Sequence, residues 1–205
     1  PQDSLTEEAV SALHKDLKAE ALECISHILP SKILRLKAIV EEKTSRFPKY
    51  FESEEDIFGA VIKEYEEFKN FVHAQVQDYI KTRTALHLLV PKIEDGNNFG
   101  VGVQHEILSA LSNSVDVEIA SLDSSSQFFI NRAELVGKAA KYGALSSQAA
   151  AAYSLAIAEN DRKKPRMLAI CWLDLLNNCI FVHDLIMKNL DKLLAPRTSN
   201  VTNMY

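Results

Sequence analysis

Glycine and proline are scarce in this chain, with six of each in 205 residues. Few turns are therefore available, and the chain is spent on a small number of long elements. Cysteine is scarcer still: Cys24, Cys171 and Cys179 make an odd number without a C-x-x-C pair. That excludes a disulfide framework and suits reduced thiols, which behave as small buried hydrophobes in apolar helical surroundings. There is no basic excess, since 23 Lys and Arg stand against 28 Asp and Glu, so no nucleic-acid partner is expected. The single basic cluster, D-R-K-K-P-R at residues 161–166, reads as a solvated helix face rather than a phosphate patch. No apolar run approaches the roughly eighteen residues of a membrane span and no signal peptide is visible, so no membrane partner is expected either. Reduced thiols point to the nucleus or the cytoplasm.

What is present is helical periodicity, in a chain that is 47% hydrophobic and long enough to bury a core as one domain, residues 1–205. The first helical stretch, about residues 4–42, carries Val10, Leu13, Leu17, Ala21, Ile25 and Ile28. Ser4 and Glu7 form a capping-box pattern at its start. Pro30 predicts a kink or short break, after which Ile33, Leu36, Ile39 and Val40 resume the period. Residues 43–56, polar and containing Pro48, read as a linker, with Ser53 or Asp56 capping the next helix.

The second helix, about 57–90, has its stripe at Ile57, Val61, Phe68, Val72, Val76, Tyr79, Arg83, Leu86 and Val90. The third, about 101–142, carries Val101, Leu108, Leu111, Val115, Ile119, Leu122, Phe129 and Val136, and Gly143 stops it. The fourth, about 146–194, carries Leu168, Cys171, Leu175, Cys179, Val182, Ile186, Leu190 and Leu193. Pro165 lies inside it, where proline costs about 3 kcal/mol and predicts a kink. At 1.5 Å per residue the last two helices would each run roughly 60–70 Å, which predicts an all-α, elongated antiparallel four-helix bundle. Small or apolar groups on further faces, among them Ala139, Ala140, Phe128 beside Phe129 and Trp172 beside Cys171, predict side-by-side packing of protomers.

Catalytic patterns are missing. There is no G-x-x-x-x-G-K-[ST], and Gly96, Gly100 and Gly102 do not space as G-x-G-x-x-G. A di-iron bundle needs Glu three residues before His on two helices, and none of His14, His27, His73, His87, His105 and His183 has it. No metal site, no cofactor and no enzymatic activity is expected.

The most informative segment is the polar break between the second and third helices, K-I-E-D-G-N-N-F-G at residues 92–100. Pro91 stops the helix before it, Gly96 admits positive φ, and Asn97 or Asn98 can cap the helix that restarts at residues 99–101. An irregular loop on a rigid helical frame is where binding function tends to reside.

The run P-K-I-E-D-G-N-N-F-G-V-G-V-Q at residues 91–104 resembles the activation loop and following helix of the 11S (REG) proteasome activators. N-R-A-E-L-V-G-K-A-A-K-Y at residues 131–142 resembles the end of that family's third helix. H-D-L-I-M-K-N-L-D-K-L-L-A-P-R-T-S at residues 183–199, with Met204 and Tyr205, resembles its last helix and tail, and is closest to the nuclear homoheptameric branch. The resemblance implies a homoheptameric ring that docks on the α-subunit ring of the 20S proteasome and opens its gate without ATP. It implies an activation loop at Lys92, Ile93, Glu94, Asp95, Gly96, Asn97, Asn98, Phe99 and Gly100. It also implies a docking tail within residues 196–205, with Thr202, Asn203, Met204 and the anchoring Tyr205 at its end. The family's longer insert between the first two helices is short here, and Pro165 interrupts a helix that is continuous in the family. The competing reading is an oligomeric helical scaffold or adaptor that opens nothing.

Overall fold

A computed structural model describes residues 2–46, 57–92 and 98–197, with side chains from residue 6 onward. Helix α1 (Gln2–Glu23) passes through a π-helical turn (Cys24–Ile28) into α2 (Leu29–Arg46). Helices α3 (Ile57–His87), α4 (Phe99–Gly143), α5 (Ser147–Lys188) and the short α6 (Leu190–Leu194) complete the order. There is no strand among the described residues. The fold is the expected all-α four-helix bundle, and its boundaries differ from the sequence reading where local chemistry intervenes.

Pro30 makes no break. It has no N–H to offer and its ring would crowd the carbonyl four residues back, and the chain accommodates it by widening the preceding turn. The Leu29 N–H reaches Cys24 O, one residue further than an α-helical bond. The helix begins at Gln2, so Ser4 lies inside its first turn and not at a cap. At the other end α2 runs through the start of the expected linker, with the Thr44 and Ser45 hydroxyls donating to Val40 O and Glu42 O. The remainder of that linker, with Ser53 and Asp56, lies outside the described residues.

Helix α3 stops at His87, three residues early. Leu89 N–H and Val90 N–H then bond three residues back, at 3.1 Å each, as the chain tightens before Pro91. Pro165 does not interrupt α5. Asn189 does, with φ −117° and ψ 12°, because its amide donates to Leu185 O at 2.9 Å and competes with the helical ladder. Ser146 caps α5, its Oγ accepting from Ala149 N–H.

The predicted apolar stripe of α4 drifts to the surface, leaving Ile119 and Val136 exposed. The inward line runs instead through Ile107, Leu111, Ser114, Glu118, Ser125 and Phe128, polar in its middle. Trp172 is fully buried and therefore belongs to the core rather than to a contact between protomers. By length and composition α5 would pass for a membrane span, contrary to expectation. One face of it buries Leu168, Trp172, Leu175, Cys179, Val182 and Ile186 in protein. Burial pushes the Cys24 and Cys171 thiols up from their ordinary range and keeps them protonated.

The chain resolves into two compact units. The first comprises residues 1–33, 75–116 and 178–205, and its core is built on Leu29, Tyr79, Leu86, Ile107, Leu111, Ile186 and Leu193. The second comprises residues 34–74 and 117–177. There Phe68 and Phe71 meet the buried Trp172 edge-on, at centroid distances of 5.2 and 5.4 Å. Lys43, also buried in the second unit, bonds Glu67 at 2.8 Å and lies 3.6 Å from Glu64. Arg132 grips Asp161 in a two-pronged pair at 2.8 and 3.0 Å, with its guanidinium 3.5 Å over the Phe58 ring.

Candidate functional site

The described ends of the loop and of the tail meet at one place in the first unit. Helix α3 ends, the chain turns through Leu88, Leu89 and Val90, and Pro91 and Lys92 lead into the loop. On the far side α4 begins at Phe99. Asn98 takes the N-cap position, where its carbonyl accepts from Gly102 N–H at 2.9 Å. Helix α6 closes with Ala195 N–H bonded to Asp191 O at 2.9 Å, and Pro196 and Arg197 come next. The loop's two stems and the root of the tail therefore lie in one unit.

Three contacts fasten them together. The buried Gln104 amide donates to Leu89 O at 3.2 Å and to Leu193 O at 2.8 Å. One side chain thus serves a carbonyl of the turn before the loop and a carbonyl of the last helix. Both are carbonyls left over where a helix ends, and they require a donor when buried. Arg197 donates through Nη2 to Lys92 O at 2.8 Å, tying the root of the tail to the first residue of the loop. Gly100 packs so closely on Pro196 that a Cβ there would lie 2.0 Å from the Pro196 carbonyl oxygen. Glycine is required at residue 100 for this approach, whereas a Cβ at Gly102 would meet nothing within 4 Å.

Among the predicted loop residues, Lys92, Asn98, Phe99 and Gly100 are described, and Lys92 and Gly100 are brought directly against the tail's root. Phe99 stands 77% exposed at the start of α4, an aromatic ring turned to solvent where the chain leaves the loop. Ile93, Glu94, Asp95, Gly96, Asn97, and the tail residues Thr202, Asn203, Met204 and Tyr205, lie outside the described residues. Sequence reasoning missed Gln104, Pro196 and Arg197 as working parts. A signal existed for Gln104, a polar residue one turn before Ile107 on the inward line that continues through Leu111. None existed for Arg197, whose partner is a backbone carbonyl. Among the described residues no group of three or more His, Cys, Asp or Glu side chains gathers as a metal site.

Comparison with known proteins identifies the family. The family profile described as Proteasome activator PA28, C-terminal, matches residues 53–203, which include the loop and most of the tail. Proteasome activator 28 of Dictyostelium discoideum is 33% identical over 145 residues, 71% of this chain and 62% of its own length. Proteasome activator complex subunit 3 of Homo sapiens is 40% identical over 121 residues, 58% of this chain and 45% of its own length. The chain thus spans less than two thirds of either relative. The 11S subunit of the Plasmodium falciparum proteasome, PA28, superimposes with a TM-score of 0.82 over 97% of this chain and 94% of that one, at 24% identity. A chain of an archaebacterial 20S proteasome–PA26 complex does so with a TM-score of 0.74 over 95% and 99%, at 16% identity. At those identities the likeness is one of fold.

Proposed function

The chain belongs to the PA28 family of proteasome activators, and from that premise we propose that it is a non-catalytic, ATP-independent activator of the 20S proteasome. Its tails dock on the α-subunit ring and its loops displace the gate. The observation that carries this reading is the fastening of loop to tail through Gln104, Arg197 and the Gly100–Pro196 contact. A gate-opening loop acts by shape, so its stems must be held at a fixed place relative to the anchor that docks. The eight residues 198–205 can span at most roughly 26 Å when extended, enough to enter a pocket on a facing surface.

A single tail binds weakly, because its ordering opposes docking, and several tails on one ring act together as a multivalent ligand. Seven protomers side by side, a homoheptamer, provide that ring. The exposed apolar residues of α5, Met167, Ile170, Leu173, Ile180, Phe181 and Met187, suit such packing. The free thiols of Cys24, Cys171 and Cys179 agree with work in the nucleus or cytoplasm.

The test is hydrolysis of short fluorogenic peptides by purified 20S proteasome, with and without this protein and without ATP. Stimulation is expected, lost on removing residues 202–205 while the oligomer stays whole. Asn97→Tyr is expected to keep assembly and docking yet abolish stimulation. A truncated ring that still docks, or an Asn97→Tyr ring that still stimulates, refutes the corresponding element. Absence of stimulation with matched proteasome would leave an oligomeric scaffold as the better account.

A further inference from the structure

The basic run at residues 161–166 is not the solvated helix face expected of it. In the second unit it alternates: Asp161 and Lys164 are buried at 7% and 5% exposure, and Lys163 and Arg166 face outward. Asp161 is consumed by Arg132. Lys164 has no such partner; it makes neither a hydrogen bond nor an ion pair among the described residues, and its ammonium lies 5.7 Å from the Phe128 ring centroid. An ammonium out of water without a counter-ion is costly, and burial pushes Lys164 down from its ordinary range.

Lys164 lines a cleft of about 360 Å³ between α4 and α5, and no Asp or Glu lines that cleft. One turn before Lys164, the Asn160 side chain also lines it, and Asn160 Nδ2 is buried without an acceptor. Lys163 is shared with an adjoining cavity lined by Arg162, Arg166 and Glu159, the last paired with Arg162 at 3.2 Å. Phe128, Met167 and Cys171 give the cleft an apolar wall. An unpaired ammonium and a buried amide nitrogen without an acceptor therefore border a space whose lining carries no carboxylate, and whose neutral acceptors are Ser124, Ser125, Gln127 and Asn131, beside a wall that accepts an apolar body.

We propose that this cleft binds a small oxyanion of the phosphate class, held by Lys164, Asn160 and Lys163. Several oxygens on one centre satisfy an ammonium, an amide and a second ammonium together, which one chloride cannot do. The volume exceeds a bare phosphate and lies at the lower end of ligand pockets, leaving room for a small organic group against Phe128. The site is independent of the loop and the tail.

The experiment is thermal denaturation of the full chain in increasing inorganic phosphate or phenyl phosphate, against chloride at matched ionic strength. The expected result is a saturable rise in Tm, about 5–10 °C at a hundredfold excess over Kd. The rise should vanish in Lys164→Met, and in Asn160→Leu should need several-fold more ligand. The second variant keeps Lys164 and decides the matter should the first not fold. Tighter binding of phenyl phosphate would identify a phosphate monoester as the ligand class, and equal binding would identify inorganic phosphate. Equal effects of phosphate and chloride, or an undiminished rise in both variants, would overturn the site. Peptidase stimulation in the two variants without phosphate is expected to match that of the unaltered chain.

Discussion

The core of the second unit and the loop end of the first use their polar side chains differently. In the second, side chains hold side chains: Arg132 pairs with Asp161 beneath Phe58, Lys43 with Glu67, and Phe68 and Phe71 close on Trp172. In the first, at the loop, side chains hold the main chain: Gln104 grips Leu89 O and Leu193 O, Arg197 grips Lys92 O, and Asn189 grips Leu185 O. Pairs between side chains fix one helix against another, whereas bonds to terminal carbonyls fix where a helix stops and where the next segment departs. The difference separates stability from positioning. Substitutions in the second unit should act on folding, and those around the loop should act on function at a small cost in stability.

The largest effect expected is from Trp172→Ala. Trp172 is fully buried with two aromatic neighbours, and truncation of such a core residue costs about 3–5 kcal/mol. A Tm loss of roughly 6–20 °C is expected, with stimulation per folded ring preserved at low temperature. Thermal denaturation alongside peptidase assays at low temperature checks both halves. Intact stability, or normal stability with lost stimulation, would break the comparison.

Next comes Gly100→Ala, set against Gly102→Ala. Alanine in a helix is favoured over glycine by about 0.5–1 kcal/mol, so Gly102→Ala should stabilise slightly and leave stimulation alone. At residue 100 the added methyl would meet Pro196 O at 2.0 Å, and relieving that overlap costs about 1–3 kcal/mol. Because the atom to be displaced belongs to the root of the tail, docking should weaken in Gly100→Ala alone. Surface-bound proteasome titrated with each variant measures it, and equal docking by the two variants would remove the contact from the mechanism.

Helix periods, the break between α3 and α4 and the family were legible in the chain because each rests on local spacing or on a contiguous motif. Other features were not. The inward line of α4 carries Ser114, Glu118 and Ser125, which a search for apolar residues passes over in favour of Ile119. Trp172 reads as an outward group because its neighbour Cys171 already occupies the stripe, yet the larger side chain holds the core. Pro30 and Pro165 both predict kinks, and both are carried within helices, one by a π turn and one inside an unbroken α5. Proline forbids one hydrogen bond, and the surrounding packing decides whether the helix stops. The helix does stop at Asn189, where no proline stands, through a side-chain bond to its own backbone.

Gln104→Leu sharpens the comparison at smaller scale. The leucine keeps the volume and leaves Leu89 O and Leu193 O without their donor, a loss of about 1–3 kcal/mol. Urea denaturation should show that loss, and hydrogen exchange should show faster opening at residues 88–90 and 190–194 with α5 unchanged before Asn189. Exchange that rises evenly along α5 would mean that Gln104 is ordinary packing.

The smallest change in stability and the sharpest discrimination are expected from Arg197. Its bond to Lys92 O runs over an exposed part of the unit, and a bond of that kind contributes about 0.5–1.5 kcal/mol net. Arg197→Met therefore leaves Tm almost unmoved. If the bond only trims a frayed end, stimulation is also unmoved. If it sets the loop against the docking tail, stimulation falls at saturating activator while the concentration for half-maximal docking changes little, because residues 202–205 are intact. Arg197→Lys separates charge from geometry, since one ammonium keeps the charge but not the planar fork of donors. Lysine that restores stimulation in full would reduce the contact to electrostatics, and lysine that behaves as methionine would assign it to directed hydrogen bonding. Loss of docking in both variants, by contrast, would place Arg197 in the anchor itself and dissolve the separation between holding and positioning on this side of the molecule.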